Sequence, residues 1–183
     1  MMKKTKVINL YAGPGAGKTT TATKLFGHLK SNYINCELIH EYIKEWVWEG
    51  KPILDTDQVL ILANQHRKER LLYGKVDYII TDSPMWLVAI YEKELSQPPF
   101  IATTIIDKFL QSSPDVEHVH VFLNRGFKYD PVGRNQSEKE AIELDSKIKN
   151  FLKYHDIDFI EVNVKNGCEN EIARKLGLVN ATS

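Results

Sequence analysis

A glycine-rich run near the start of the chain carries the clearest chemical signal in the sequence. Residues 12–19 read Ala-Gly-Pro-Gly-Ala-Gly-Lys-Thr and follow the apolar segment Val7–Tyr11. Glycines in this position let successive backbone N–H groups point inward around an anion, at the positive end of the following helix. The closing lysine and threonine can reach the terminal phosphates and a magnesium ion, so the run predicts a loop that binds ATP and Mg²⁺. The predicted nucleotide contacts are Gly13, Pro14, Gly15, Ala16, Gly17, Lys18, Thr19 and Thr20.

Two carboxylates follow apolar segments that are predicted to be strands. Asp82 ends the run Asp77–Asp82, and Glu41 follows the run Cys36–His40. The carboxyl ends of parallel strands meet at one edge of a sheet, so both acids are expected near the glycine-rich loop. Thr19 and Asp82 are the predicted Mg²⁺ ligands, and Glu41 is the candidate base that orients or deprotonates an acceptor hydroxyl. Asp82 could instead cap the next helix, and which of the two acids acts as the base stays open.

Two further groups of residues allow both a functional and a structural interpretation. The aromatic residues Tyr42, Trp46 and Trp48 could stack on a ring of the acceptor, although packing in the core is the commoner fate of helix aromatics. Residues 66–70 read His-Arg-Lys-Glu-Arg and are predicted to form the solvated side of a helix rather than a substrate contact.

A basic connection follows the predicted fourth strand. Residues 124–136 read Asn-Arg-Gly-Phe-Lys-Tyr-Asp-Pro-Val-Gly-Arg-Asn-Gln. Long connections in compact domains are often functional lids, and cations on a lid can offset charge on a transferring phosphoryl group. The sequence therefore predicts a lid over residues 125–136, with Arg134 as the first catalytic candidate, Arg125 as the second and Lys128 as the third. The alternative is an ordinary solvated loop.

Short apolar segments alternate with segments of helical period along the chain. The predicted strands are Lys6–Tyr11, Cys36–His40, Val76–Thr81, His118–Leu123 and Ile157–Val162. The predicted helices cover about 17–30, 41–49, 57–73, 84–94, 100–112 and 138–154, with a short one near 169–176. Ser137 and Glu140 have the spacing of a capping box at the start of the sixth helix. This order predicts an α/β fold in which a parallel five-stranded sheet carries helices on both faces.

Length and composition limit the classes of protein to which this chain can belong. The 183 residues, 43% of them hydrophobic, suit a single domain over residues 1–183. Basic and acidic residues number 24 each, so no overall positive field favours nucleic acid or a membrane surface. Cys36 and Cys168 form no disulfide or metal pattern, and the N-terminal apolar run is too short for a signal or membrane segment. A cytoplasmic protein that acts on a small molecule is therefore expected.

The order of four short motifs is itself informative. They are residues 12–19, Glu41–Trp46, Thr81–Ser83 and Asp130–Arg134. In this order they resemble the nicotinamide riboside kinase domain of the NadR family and its P-loop relatives, over about residues 6–165; many bacteriophage P-loop proteins share the first and last motifs. The resemblance implies a nucleoside- or nucleotide-kinase arrangement, with Glu41 and Asp82 on the acceptor side and Arg134 in the lid. For a phage-encoded chain it implies the host cytoplasm.

Together these features predict an ATP- and Mg²⁺-dependent kinase that phosphorylates a hydroxyl of a small nucleoside- or nucleotide-like acceptor. One alternative keeps the chemistry but takes 5-hydroxymethyluracil in phage DNA as the acceptor. Another is a regulatory ATPase without an acceptor, against which stand the absence of an Asn-Lys-x-Asp motif and a length that is short for an AAA+ module with its lid domain. ATP versus GTP, and homodimer versus monomer, are left open by the sequence.

Overall fold

The fold is a twisted parallel sheet with helices on both sides. The computed structural model describes residues 4–42, 46, 49–50, 54, 57–95, 100–127, 129 and 137–178. Within these residues the strands are β1 (Thr5–Tyr11), β2 (Cys36–Ile39), β3 (Tyr78–Thr81), β4 (Val116–Asn124) and β5 (Ile160–Asn163). The helices are α1 (Lys18–Ser31), α2 (Asp57–Arg70), α3 (Met85–Leu95), α4 (Ala102–Gln111), α5 (Glu138–Tyr154) and α6 (Cys168–Lys175).

The strands lie in the order β2-β3-β1-β4-β5, and every neighbouring pair is parallel. This arrangement confirms the predicted parallel five-stranded sheet. β1 lies in the middle, and six of its seven residues are buried, which suits a strand covered on both faces. The carboxyl ends of β1, β3 and β4 therefore lie side by side, and the segments that follow them share one edge of the sheet.

Two apolar clusters lie on opposite faces of the sheet. On one face, Leu10 of β1 packs in a cluster with residues of α1 and α6, which include Leu25 and Ile172. On the other face, Tyr11 packs in a cluster with residues of α2, α4 and α5, which include Leu62 and Ile106. Successive side chains of a strand alternate between the faces, so the two clusters together account for the helices on both sides. Among the described residues, no helix has the length and apolar character that crossing a bilayer requires.

Helix α5 begins as its sequence indicates. The Ser137 hydroxyl accepts a hydrogen bond from the Glu140 N–H, and the Glu140 carboxylate accepts one from the Ser137 N–H at 2.7 Å. The predicted capping box is therefore confirmed. At its other end the chain turns through Asp156, which has a left-handed φ of 52°, and the Ile157 N–H donates back to Leu152 O at 2.9 Å. These residues close the helix, which is why β5 begins at Ile160 and not at Ile157 as predicted.

The prediction of a solvated helix side for residues 66–70 is wrong for two of the five residues. His66 and Glu69 are buried, whereas Arg67 and Arg70 are exposed. His66 follows Leu62 by four positions, so the helical period turns His66 toward the same inner side. The His66 ring stacks on Phe109 of α4 with centroids 3.7 Å apart. Of the predicted helix over 41–49, most lies outside the described residues.

Candidate active site

The glycine-rich loop joins β1 to α1 at the edge of the sheet where the strands end. Gly15 and Gly17 have left-handed φ angles of 77° and 87°, which glycine adopts at little cost. Helix α1 begins at Lys18 with no acidic residue in its first turn. The first N–H groups of a helix lack partners within the helix and favour a negative charge. The loop can therefore surround a phosphate group. Thr20, the last of the predicted contacts, is exposed on α1.

Lys18 is folded back over the loop. Its Nζ donates to Ala12 O at 2.7 Å and to Gly13 O at 3.3 Å. The contacts hold the ammonium group on the loop's own backbone, where a phosphate bound to the loop would come within its reach.

Thr19 and Asp82, the predicted magnesium ligands, lie in contact although they are 63 positions apart. The Thr19 hydroxyl donates to Asp82 Oδ2 at 2.5 Å, and Asp82 is only 4% exposed. Asp82 Oδ1 is buried and accepts no hydrogen bond from the residues that the structure describes. A buried carboxylate oxygen without a partner is costly unless it serves a ligand. Because Mg²⁺ prefers oxygen ligands, the pair fits a magnesium ion better than it fits a cap of α3.

Glu41 lies beyond the end of β2 and is exposed. Ile39 pairs with Thr81 in the sheet, so the segments that carry Glu41 and Asp82 leave the same edge on neighbouring strands. Tyr42 and Trp46 are partly buried against the cluster that contains Tyr11, with their ring centroids 6.3 Å apart. Both rings thus take part in packing, beside the predicted acceptor side. Trp48 lies outside the described residues.

Tyr91 of α3 belongs to the same region and was not anticipated from the sequence. Burial and the negative charges of Glu41 and Asp145 raise the pKa of its hydroxyl above the ordinary value, so the group is a neutral phenol. No sequence signal singles it out, because Met85–Ile90, just before it, is buried throughout. A helix that is apolar on every side does not indicate which residue reaches a site.

Of the predicted lid cations, Arg125 is the one that the structure describes at the site. It follows β4 directly, and its Nη1 donates to Pro14 O of the glycine-rich loop at 2.8 Å. Its Nε donates to the Asp145 carboxylate at 2.5 Å. Its contacts with Pro14 and Asp145 therefore hold Arg125 beside the loop. Arg134 and Lys128 lie outside the described residues.

A buried polar network lies beneath the edge of the sheet, on the side of α2. Gln65 Nε2 donates to Thr81 Oγ1 at 3.0 Å, and the Ser83 N–H donates to the same oxygen at 3.1 Å. These bonds fix the turn that carries Asp82. Deeper on this side, burial raises the pKa of Glu69 to about 7, and the carboxylate accepts hydrogen bonds from Gln65 and Tyr73.

Two histidines of β4 lie beside the polar side chains of β1. Burial lowers the pKa values of His118 and His120 to about 4, so both rings are neutral at pH 7. The Tyr11 hydroxyl lies 3.0 Å from His120 Nδ1. This contact joins the end of β1 to β4.

Comparison with known proteins agrees with this geometry. Residues 7–170 match the sequence model of a family described as an AAA domain. A search of curated proteins finds no match. Because a family described as an AAA domain matches residues 7–170, the length of this chain is not evidence against an ATPase.

Solved structures with the same fold include several kinases. A NadR protein in complex with NR matches with a TM-score of 0.69 and 13% identity, over 98% of this chain and 54% of that one. The deoxyadenosine kinase of M. mycoides matches with a TM-score of 0.60 and 17% identity, over 95% of this chain and 100% of that one. The APS kinase CysC of Mycobacterium tuberculosis, in complex with AMPPNP and APS, matches with a TM-score of 0.55 and 9% identity, over 96% of this chain and 98% of that one. The chain spans about half the length of the NadR chain, and at these identities the likenesses show a shared fold alone.

Proposed function

The chain belongs to the AAA domain family, and we propose that it is a P-loop kinase that transfers the γ-phosphoryl group of ATP to a hydroxyl of a small nucleoside- or nucleotide-like acceptor. The observation that carries the proposal is the Thr19–Asp82 pair at the glycine-rich loop, with Asp82 Oδ1 buried and without a hydrogen-bond partner among the described residues. A carboxylate held in this way beside a phosphate loop suits a metal–nucleotide complex.

The loop and Lys18 form the donor side. Phosphoryl transfer depends mainly on positioning and on stabilising the charge that spreads over the transferred group. In our proposal the loop N–H groups bind the phosphates, and Lys18 leaves its carbonyl partners for the β- and γ-phosphate oxygens. Thr19 and Asp82 would hold Mg²⁺, which when bound offsets negative charge on those oxygens.

Glu41 is proposed to act on the acceptor side. Asp82 is buried and is committed to Thr19 and to the proposed metal site, whereas Glu41 is exposed at the same edge of the sheet. Glu41 is therefore the better candidate to orient the acceptor hydroxyl and take its proton. The solved relatives support an acceptor of nucleoside or nucleotide type, since they include a NadR protein with NR and a deoxyadenosine kinase. Arg134 is proposed to approach the transferred group from the lid.

A radiolabelled-phosphate screen tests the proposal. The chain is incubated with γ-labelled ATP and Mg²⁺ and with one acceptor at a time: nucleosides, nucleotides, nicotinamide riboside, or DNA that contains 5-hydroxymethyluracil. We expect label to move to a small acceptor, and this transfer to fall by at least about 10²-fold in Lys18→Ala. Label found on the DNA alone would mean that the acceptor is a base in DNA and not a small molecule.

A second candidate function is an ATPase that acts as a nucleotide-dependent switch, which the description of the family as an AAA domain favours. The two candidates differ in the effect of acceptors on ADP release. A kinase releases ADP faster when its acceptor is present, whereas a switch releases it at the same rate with every compound in the screen. That second result, together with label found only in inorganic phosphate, would overturn the kinase proposal.

A further inference from the structure

We propose that Asp145, in the middle of α5, is a positioning residue that fixes the shape of the phosphate loop together with Arg125. The inference rests on the nucleotide-binding part of the proposed function and goes beyond it, because it assigns a role to a residue outside the loop, the metal site and the acceptor side.

Asp145 uses both of its carboxylate oxygens at the loop. Oδ1 accepts a hydrogen bond from the Gly13 N–H at 2.5 Å, between residues that are 132 positions apart. Oδ2 accepts one from Arg125 Nε at 2.5 Å. The side chains of Asp145 and Arg125 are only 16% and 17% exposed. Hydrogen bonds between charged groups that are partly shielded from water are among the stronger ones in proteins.

Arg125 extends the same contact to three parts of the fold. While Nε holds Asp145, Nη1 donates to Pro14 O at 2.8 Å and Nη2 donates to Ala141 O of α5 at 3.0 Å. The planar guanidinium group offers these donors in a fixed fork. The end of β4, the first turn of the loop and the start of α5 are thereby joined through one side chain.

The backbone of Gly13 lies too close to α5 for any side chain. A Cβ atom at Gly13 would come 2.6 Å from Ala141 O, and 2.9 Å from both Arg125 Nη2 and Asp145 Oδ1. Each of these distances is shorter than a real Cβ contact. Glycine is therefore required at position 13 because α5 packs directly on the loop, and not because of a left-handed φ.

These contacts act on the part of the loop that sets the direction of the rest. Gly13 and Pro14 are predicted nucleotide contacts, but the Gly13 N–H donates to Asp145 and proline has no N–H. Both residues instead connect β1 to the later loop N–H groups expected to bind phosphate, so a shift here displaces those groups. Misplacement by about 1 Å can cost about 10²-fold in activity. An ion pair that only stabilised the fold would change the free energy of unfolding and leave the affinity of the folded protein for nucleotide as it was.

The test is the affinity for MgADP of the Asp145→Asn variant, measured by calorimetry, together with its melting temperature. Asparagine keeps the size of the side chain and loses the charge that holds Arg125. We expect the Kd for MgADP to rise at least about 10-fold in protein that is still folded. The matched control is Glu94→Gln. It removes the exposed ion pair between Glu94 of α3 and Lys147, which lies in the same helix as Asp145, and it should leave the Kd unchanged.

A second variant keeps the inference open to refutation should Asp145→Asn fail to fold. Arg125→Lys retains a positive charge but lacks the fork that reaches Pro14 and Ala141, and it should also raise the Kd. The double variant should bind MgADP no more weakly than whichever single variant has the higher Kd, because both substitutions disrupt the same Asp145–Arg125 pair. A variant with a lower melting temperature and the wild-type Kd would overturn the positioning role. Absence of MgADP binding by the wild-type protein would instead overturn the proposed function.

Discussion

Lys18 and Thr19 stand next to each other at the start of α1, but the structure gives them different neighbours. Lys18 contacts the carbonyl groups of its own loop, whereas Thr19 contacts Asp82, which follows β3. The two residues should therefore fail in different ways when they are changed. Loss of Lys18 removes the charge that is proposed to act on the transferred group, and loss of Thr19 removes a proposed metal ligand.

Lys18→Ala should lower phosphoryl transfer by at least about 10²-fold, since one lost donor at a developing charge typically costs that much. Its fold should persist because Lys18 fills no part of either apolar cluster. Steady-state rates of ADP release with acceptor present provide the measurement. Lys24→Ala is the control, because Lys24 is exposed on the same helix. Wild-type turnover in Lys18→Ala would place the chemistry elsewhere.

Glu69→Gln should change how stability depends on pH. Burial raises the pKa of Glu69 from 4.5 to about 7, so the unfolded chain loses this proton at lower pH than the folded one. The stability that protonated Glu69 contributes to the folded state is fully present below about pH 4.5 and is lost as the pH rises through about 7. The shift corresponds to on the order of 3 kcal/mol. Relative to wild type, the variant should therefore gain stability by up to that amount between about pH 5 and pH 8.

Urea unfolding of both proteins at several pH values measures this difference. His118 and His120, whose pKa values are lowered to about 4, act in the opposite direction: their contribution is present above about pH 6.5 and is lost on acidification. Both histidines remain in the variant, so their effect cancels when the two proteins are compared. Free energies of unfolding that run parallel at all pH values would mean that Glu69 titrates normally.

Among the helices and strands, the packing of α5 on the loop after β1 matters most for the site. Two glycines allow a matched comparison of this packing. Gly13 lies against α5, so that a Cβ atom added there would come 2.6 Å from Ala141 O, whereas Gly27 of α1 is exposed and has nothing within 4 Å of such an atom. The same substitution should consequently have opposite effects at the two positions.

Gly13→Ala should destabilise the fold by roughly 1–3 kcal/mol and weaken nucleotide binding, because the loop or α5 must move to admit the methyl group. Gly27→Ala should stabilise it by about 0.5–1 kcal/mol, since alanine is the better residue in the interior of a helix. Chemical denaturation of both variants gives the free energies. Equal effects at the two positions would contradict the close packing of α5 on the loop.

For the molecule as a whole, ligand binding should stabilise the fold in a metal-dependent way. At about 100 times its Kd, a nucleotide adds about 2.7 kcal/mol to the free energy of unfolding. For a chain of this length that corresponds to a rise of roughly 5–10 °C in Tm. Thermal unfolding with ADP should show this rise with Mg²⁺ and a smaller one with EDTA. Thr19→Ala should need more Mg²⁺ to reach the same rise, and an unchanged Mg²⁺ titration would argue against Thr19 as a ligand.

The features that depend on neighbouring residues could be predicted without the structure. The spacing of residues 12–19 after an apolar strand indicated the loop, and Ser137 with Glu140 indicated the start of α5. The alternation of apolar and helical segments was sufficient for the parallel sheet, because strands covered on both faces need continuous apolar runs. The common edge of the sheet then followed from parallel topology, which is why Asp82 could be proposed beside the loop.

Which polar side chains meet at that edge became visible only in the folded chain. Asp145 is one of many charged residues in α5, and its contact with Gly13 joins residues 132 positions apart. Glu69 is buried although its neighbours Lys68 and Arg70 suggested solvent. Hydrophobic period locates the inner side of a helix, but it does not specify which polar group on that side finds a partner, since the partner comes from a distant element.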